Sequence, residues 1–158
     1  MIYRPLFRIL LLLALVSHGA WAADPVELPP PEPYCQWEVK DLAIAKPLCS
    51  LSGNAQRGKA IAIDSNRGNC VACHQLPVEG VEAFGNLGPP LMAVGARYSE
   101  GYLRLRVVDT KQVNPMSVMP GFYRDPSLLH RPARHYVGRT FLTAQQVEDV
   151  VAYLVSLK

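Results

Sequence analysis

The sequence predicts an all-α protein whose short helices are joined by long loops. Three observations predict it. Residues 143 to 158 carry a helix-start signal followed by apolar residues at helical spacing. Residues 54 to 64 hold a shorter stripe of small and apolar side chains with the same period. Apolar and polar residues nowhere alternate over the length of a strand, and no internal repeat is present.

At the N-terminus, Arg4 and Arg8 precede the unbroken apolar run Ile9 to Val16, and Ala20-Trp21-Ala22 follows as a small-x-small sequence. This pattern predicts a secretory signal peptide over residues 1–22, cleaved after Ala22. The run of 8 apolar residues is far short of the roughly 20 that a spanning helix needs. Of the 158 residues, about 136 then remain, enough for one domain with a core and too few for two. The mature chain is expected in the periplasm with no membrane span, in an oxidising compartment where disulfides persist.

Residues 23–52 read as a proline-rich arm. Pro25, Pro29, Pro30, Pro31 and Pro33 favour extended polyproline geometry and forbid a helix. Behind them come Cys35 and Cys49, with Trp37, Ile44 and Leu48 as packing anchors. The domain proper is expected over 53–158. Its first helix, roughly 54 to 64, uses Ala55, Gly58, Ile61, Ala62 and Ile63, and Asp64-Ser65-Asn66-Arg67-Gly68 breaks it. Gly80 to Pro90 is a loop by composition. Ser99 can cap a second helix reaching about Asp109, with Tyr102, Leu103, Leu105 and Val107 inward. Asn114 to Arg139 carries four prolines and reads as irregular. The last helix starts at a capping box, Thr143 with Gln146, and repeats Val147, Val150, Val151, Leu154 and Leu157 at helical spacing.

With 49% apolar and 18% charged residues the chain is globular rather than disordered. The formal charge of +3 shrinks once Arg4 and Arg8 leave, to 14 basic against 13 acidic residues, or +1. Nucleic-acid binding by bulk charge is excluded. The charge is uneven, however. Residues 23 to 56 carry two basic and five acidic side chains, and residues 97 to 139 carry eight basic and three acidic.

Three short helices cannot bury enough surface to order so many loop residues, each of which loses roughly 1–2 kcal/mol of backbone entropy. Something else must fill the middle. Cys70-Val71-Ala72-Cys73-His74 supplies the candidate, a C-x-x-C-H haem attachment motif. Cys70 and Cys73 can add to the two vinyl groups of one haem, and the His74 imidazole then reaches the iron. A thioredoxin-type pair would need a βαβ pattern, and a zinc site a second Cys/His pair; neither is present. One covalent haem c is therefore expected. The basic segment 97–139 can then steer an acidic partner, hold haem propionates, or be a plain solvated face.

Candidates for the sixth iron ligand are Met92, Met116, Met119, His130 and His135. A thioether favours ferrous iron and raises the potential, whereas a second imidazole lowers it. Met119 is preferred because Pro120-Gly121-Phe122 follows it in a proline-rich loop. Met116 is its rival, Met92 is expected in the core, and His130 and His135 are expected to be exposed beside Arg131 and Arg134. On the other side of the iron, Gly88-Pro89-Pro90-Leu91 forms a rigid turn, and the Pro89 carbonyl is expected to take the Nδ1 proton of His74. The remaining cysteines, Cys35 and Cys49, are expected to bridge, closing a loop of about 15 residues worth roughly 3 kcal/mol. A link from one of them to a partner is the alternative.

The set Cys70-x-x-Cys73-His74, Gly88-Pro89-x-Leu91, Met119-Pro120 and Val151-Ala152-Tyr153-Leu154 resembles the class I cytochromes c. In that fold long loops wrap one covalent haem and the first and last helices cross; the resemblance implies a close approach of Gly58 to Tyr153. Finer matches over roughly residues 53 to 158 resemble the SoxX family of sulfur-oxidation cytochromes. They are Gly68 to His74, Gly85-Asn86-Leu87-Gly88-Pro89-Pro90, Ala96-Arg97-Tyr98, Asn114-Pro115, Val118 to Tyr123 and Leu142 to Val147. That resemblance implies an electron-transfer subunit in a heterodimer with a SoxA-type cytochrome. The pair, an L-cysteine S-thiosulfotransferase, couples thiosulfate oxidatively to a cysteine of the SoxYZ carrier, and electrons leave to a soluble cytochrome c. The catalytic cysteine is implied on SoxA, with none on this chain. The alternative is a general periplasmic electron carrier with no sulfur role.

Overall fold

Asn54 opens the first helix. Its side-chain oxygen accepts from Arg57 N at 2.9 Å, satisfying one of the amides that a helix start leaves without a partner. Helix α1 then runs over Ala55–Ile63. This geometry comes from a computed structural model describing residues 31–158. The expected signal peptide and the arm up to residue 30 lie outside the described residues.

After α1 the chain makes a 3-10 turn at Cys70–Ala72 and a one-turn helix, α2, at Val94–Arg97. Helix α3 spans Glu100–Asp109, capped by the Ser99 hydroxyl, which accepts from Tyr102 N at 3.3 Å. Helix α4 spans Ala144–Ser156 behind the expected capping box: Thr143 Oγ1 accepts from Gln146 N at 3.2 Å, and Gln146 Oε1 accepts from Thr143 N at 2.9 Å. Residues 114–139 are irregular apart from short 3-10 turns at Pro126–Leu128 and Arg134–Tyr136. Among the described residues the only β feature is an isolated Lys40–Ala43 bridge. No described helix is long and apolar enough to cross a membrane.

Helix α1 lies across α4 at Gly58, where a Cβ would sit 1.9 Å from the Asp149 carbonyl oxygen and 2.9 Å from Tyr153 Cβ. Glycine is needed there because two backbones occupy the space of a side chain. Helix α3 packs on the same helix, bringing Leu103, Leu105, Val107 and Val108 against Val147, Val150, Val151 and Leu154. Two sequence expectations are corrected. Tyr102 is half-buried, and Val108 fills the inward position beside Val107. Met92 is 40% exposed rather than part of the core. Between buried Val94 and inward-packed Leu91 the chain turns through Ala93 at φ 53°, which leaves Met92 outside.

Charged side chains complete the interior. Arg104, 1% exposed, places Nε 2.9 Å from Glu148 Oε1, Nη2 2.9 Å from Glu148 Oε2, and Nη1 2.9 Å from the Ile44 carbonyl; Nη2 also donates to Glu100. Burial opposes the charge, but the Glu148 and Glu100 contacts prevail and hold the guanidinium above its ordinary range. Glu148 Oε1 also accepts from Leu48 N at 2.9 Å. The arm is thus bound to α3 and α4 through one ion cluster. A second pair joins α1 to α4, with Arg57 Nε 2.7 Å from Asp149 Oδ2. Burial pushes the Asp149 carboxyl up, and hydrogen bonds from Arg57, Asn54 N and Gln145 outweigh it.

Cys35 and Cys49 are bridged, with Cα atoms 5.6 Å apart. The arm also reaches the long loop before α4: Tyr34 stacks on Tyr123 at 5.0 Å, and Cys35 N donates to Tyr123 Oη at 2.9 Å.

Candidate functional site

The C-x-x-C-H segment is held by its own turn. Asn69 takes a left-handed backbone (φ 46°), Cys73 N donates to Cys70 O at 3.1 Å, and His74 N donates to Cys70 O at 2.8 Å. Cys70 faces inward and packs on the buried Ala62–Leu76–Tyr153 cluster. Burial pushes its thiol up to about 11, so it stays neutral. Among the described residues no group of three or more His, Cys, Asp or Glu side chains is placed to hold a metal ion. The pair Cys70 and Cys73, both free thiols, therefore lacks the further protein ligands a zinc centre requires.

His74 Nδ1 lies 2.7 Å from the Pro89 carbonyl oxygen. A carbonyl only accepts, so Nδ1 carries the proton and Nε2 keeps its lone pair free for a metal. The turn is built around the ring. Gly88 N donates to Cys73 O at 2.8 Å, and a Cβ on Gly88 would sit 2.2 Å from His74 Cε1. The glycine leaves room for the imidazole and the following proline anchors it.

Met119 stands in the irregular loop between α3 and α4. Its N donates to Ser117 Oγ at 3.3 Å, and Lys111 Nζ donates to the Ser117 carbonyl at 2.8 Å. Further on, Phe122 N donates to Val107 O and Tyr123 N to Val108 O, both at 3.1 Å, which straps the loop to α3. Met119 is half-buried against the core, whereas Met116 is 85% exposed. His130 and His135 are exposed.

Two adjoining cavities of about 330 and about 440 Å³ share Cys70, His74, Pro89, Arg106, Met119 and Phe122, and so form one cleft. Leu91, Leu103, Val107, Leu142, Val150 and Leu154 make its inner wall apolar. Three arginines, Arg67, Arg97 and Arg106, line it, and no carboxylate side chain does among the described residues. A haem fits this donor set. There are two thiols on one edge, an imidazole with its lone pair free, a thioether lining the same cleft, apolar faces, and a glycine cradle that a Cβ would fill. Sequence reasoning did not single out Arg106. Its one signal was its place in the basic segment 97–139.

The cytochrome c family matches residues 55–158. A "cytochrome c-553-like" protein of Synechocystis sp. is 36% identical over 77 residues, which is 49% of this chain and 61% of that relative, so the chain spans less than two thirds of the relative's length. A chain of the crystal structure of SoxXA from P. pantotrophus is similar at a TM-score of 0.70 and 36% identity. That match covers 77% of this chain and 94% of the other.

Proposed function

The chain belongs to the cytochrome c family, as a class I cytochrome of the SoxX type, and from that premise we propose that it is the electron-transfer subunit of a SoxAX-type complex. In this reading Cys70 and Cys73 carry one haem c as thioethers. His74 and Met119 hold the iron, and Pro89 orients the imidazole. The domain proper is residues 53–158, exported to the periplasm after loss of residues 1–22, with residues 23–52 as its disulfide-bearing arm.

The observation that carries the reading is the His74 Nδ1–Pro89 oxygen contact of 2.7 Å with Met119 lining the same cleft. When bound, the haem supplies a one-electron ferric–ferrous couple. The residues provide the rest. Pro89 holds the proton at Nδ1 and so keeps Nε2 basic, Ser117 and Lys111 fix the backbone that presents Met119, and the apolar wall from Leu91 to Leu154 excludes water. Joining thiosulfate to a carrier thiol forms one S–S bond and releases a proton and two electrons. A single haem takes one electron at a time, so this chain needs a second redox protein, proposed here as a SoxA-type cytochrome that supplies the catalytic cysteine. The SoxYZ carrier is reached through that complex, and a soluble cytochrome c takes the electrons onward.

Met119→His should keep the iron low-spin and lower its potential, because imidazole stabilises ferric iron better than a thioether. Potentiometric titration and the methionine charge-transfer band read both effects. If Met116→Ala removes that band and Met119→Ala spares it, the ligand is Met116. The complex is tested by mixing the haem-loaded protein with a SoxA-type cytochrome and following thiosulfate-dependent modification of the carrier cysteine. Stable association and modification dependent on both chains are expected. Full turnover without this chain, using the same final acceptor, overturns the relay role. Electron transfer without any association leaves a general electron carrier.

A further inference from the structure

We propose that Arg106 holds a propionate carboxylate of the haem and, by pairing with it, helps to set the reduction potential. This rests on the haem reading above and assigns a residue that neither the attachment motif nor the ligand pair uses.

Arg106 lies on α3 between buried Leu105 and Val107, is itself half-buried, and lines both cavities together with Cys70, His74 and Met119. The other two arginines of the cleft are committed. Arg67 Nε lies 2.6 Å from Asp64 Oδ2, and Arg97 Nη2 donates to the carbonyls of Pro90 at 3.1 Å and Met92 at 3.3 Å. Arg106 makes no hydrogen bond or ion pair with any described residue. Among the described residues no carboxylate side chain lines either cavity. A half-buried cation beside an apolar wall, with no counter-charge among the described residues, is better placed once an anion enters the cleft.

Haem meets that need by its own chemistry. It carries two carboxylates on the edge of the ring away from the vinyl groups. Thioethers at Cys70 and Cys73 therefore fix the vinyl edge and leave the carboxylates to be met elsewhere in the cleft. Helix α3 carries neither cysteine and brings one unpaired guanidinium to that space. A guanidinium binds a carboxylate through two parallel hydrogen bonds, more strongly than a neutral donor does. Pairing offsets the propionate's negative charge near the iron and so disfavours the ferric state.

The test uses haem-loaded protein. Arg106→Gln should retain covalent haem and the methionine band while shifting the ferric–ferrous equilibrium toward ferric by three- to tenfold, tenfold being 59 mV for one electron. Arg106→Lys should recover most of that shift. Arg134→Gln, the same charge change at an exposed position, should move the equilibrium less than twofold. With ¹³C in the propionate carboxyls, the redox-difference infrared carboxylate band should shift between the wild-type protein and either Arg106 variant. Should the Gln variant not accumulate with haem, Arg106→Lys decides through that band. An unshifted band, or an Arg106→Gln potential within twofold of wild type, overturns the assignment, and the arginine is then free to face an acidic partner instead. Those outcomes leave covalent haem in place, whereas wild-type protein without covalent haem defeats the haem reading itself.

Discussion

Replacing Cys70 and Cys73 together by alanine is expected to give a colourless chain with no cooperative unfolding transition. The cleft explains the size of the effect. Its two parts measure about 330 and about 440 Å³ and border core residues from α3 and α4, including Leu103, Val107, Val150 and Leu154. Left unfilled, a partly open space of this size strips the apolar wall of its packing on one side, and a domain whose total stability is only about 5–15 kcal/mol has little margin for that loss. The chain cannot close the gap by collapse. Gly58 already holds α1 against the α4 backbone, and the Met119 loop is strapped to α3 by Phe122 and Tyr123. Without the covalent group its lining residues lose their packing partners, and the loops lose the surface they are ordered against. Absorbance in the Soret region and a thermal melt followed by circular dichroism check both parts. A colourless double variant that melts cooperatively near the wild-type temperature would show that the haem does not supply the core.

The site was more legible in the sequence than the interior that supports it. Cys70, Cys73 and His74 lie within five consecutive residues, so their chemistry is set by local spacing. Pro89 could be named because a rigid Gly-Pro-Pro turn offers a fixed carbonyl. Met119 could be preferred over Met116 only on the Pro120-Gly121-Phe122 that follows it, since both stand in one irregular loop; in the fold Met119 is half-buried and Met116 is 85% exposed. The Ser99 cap, and the capping box and period of the last helix, were readable because they act within one or two turns. Helix α2 was not, because four residues carry no period. Arg104 and Glu148 are 44 positions apart and belong to residue types normally found in water. Nothing local marks them as a buried pair. Arg104 stands in α3 between buried Leu103 and Leu105, and only the docking of the arm and α4 around it shows why a charge can be there.

Glu148→Ala is expected to destabilise the haem-loaded protein by about 3–5 kcal/mol, the usual consequence of removing one member of a buried ion pair. Arg104 would lose three of the contacts that satisfy it, from Nε to Oε1 and Oε2 and from Nη2 to Oε2, and would keep only Glu100 and the Ile44 carbonyl. Glu100 is a poor substitute because its side chain is 57% exposed, where an ion pair is worth little. Leu48 N, in the buried foot of the arm, would lose its acceptor as well. These losses share one carboxylate and do not add. Glu148→Gln keeps an oxygen for Leu48 and should fall between wild type and alanine. Replacing both partners, Arg104→Met with Glu148→Leu, should be less damaging than Glu148→Ala alone, because no uncompensated charge remains. Urea unfolding of the four proteins measures these differences. Amide exchange should show the arm around Leu48 loosening first in the alanine variant, since one carboxylate joins it to both helices. A loss below about 1 kcal/mol for Glu148→Ala, within the range of an exposed pair, would mean that the cluster does not hold the arm to the domain.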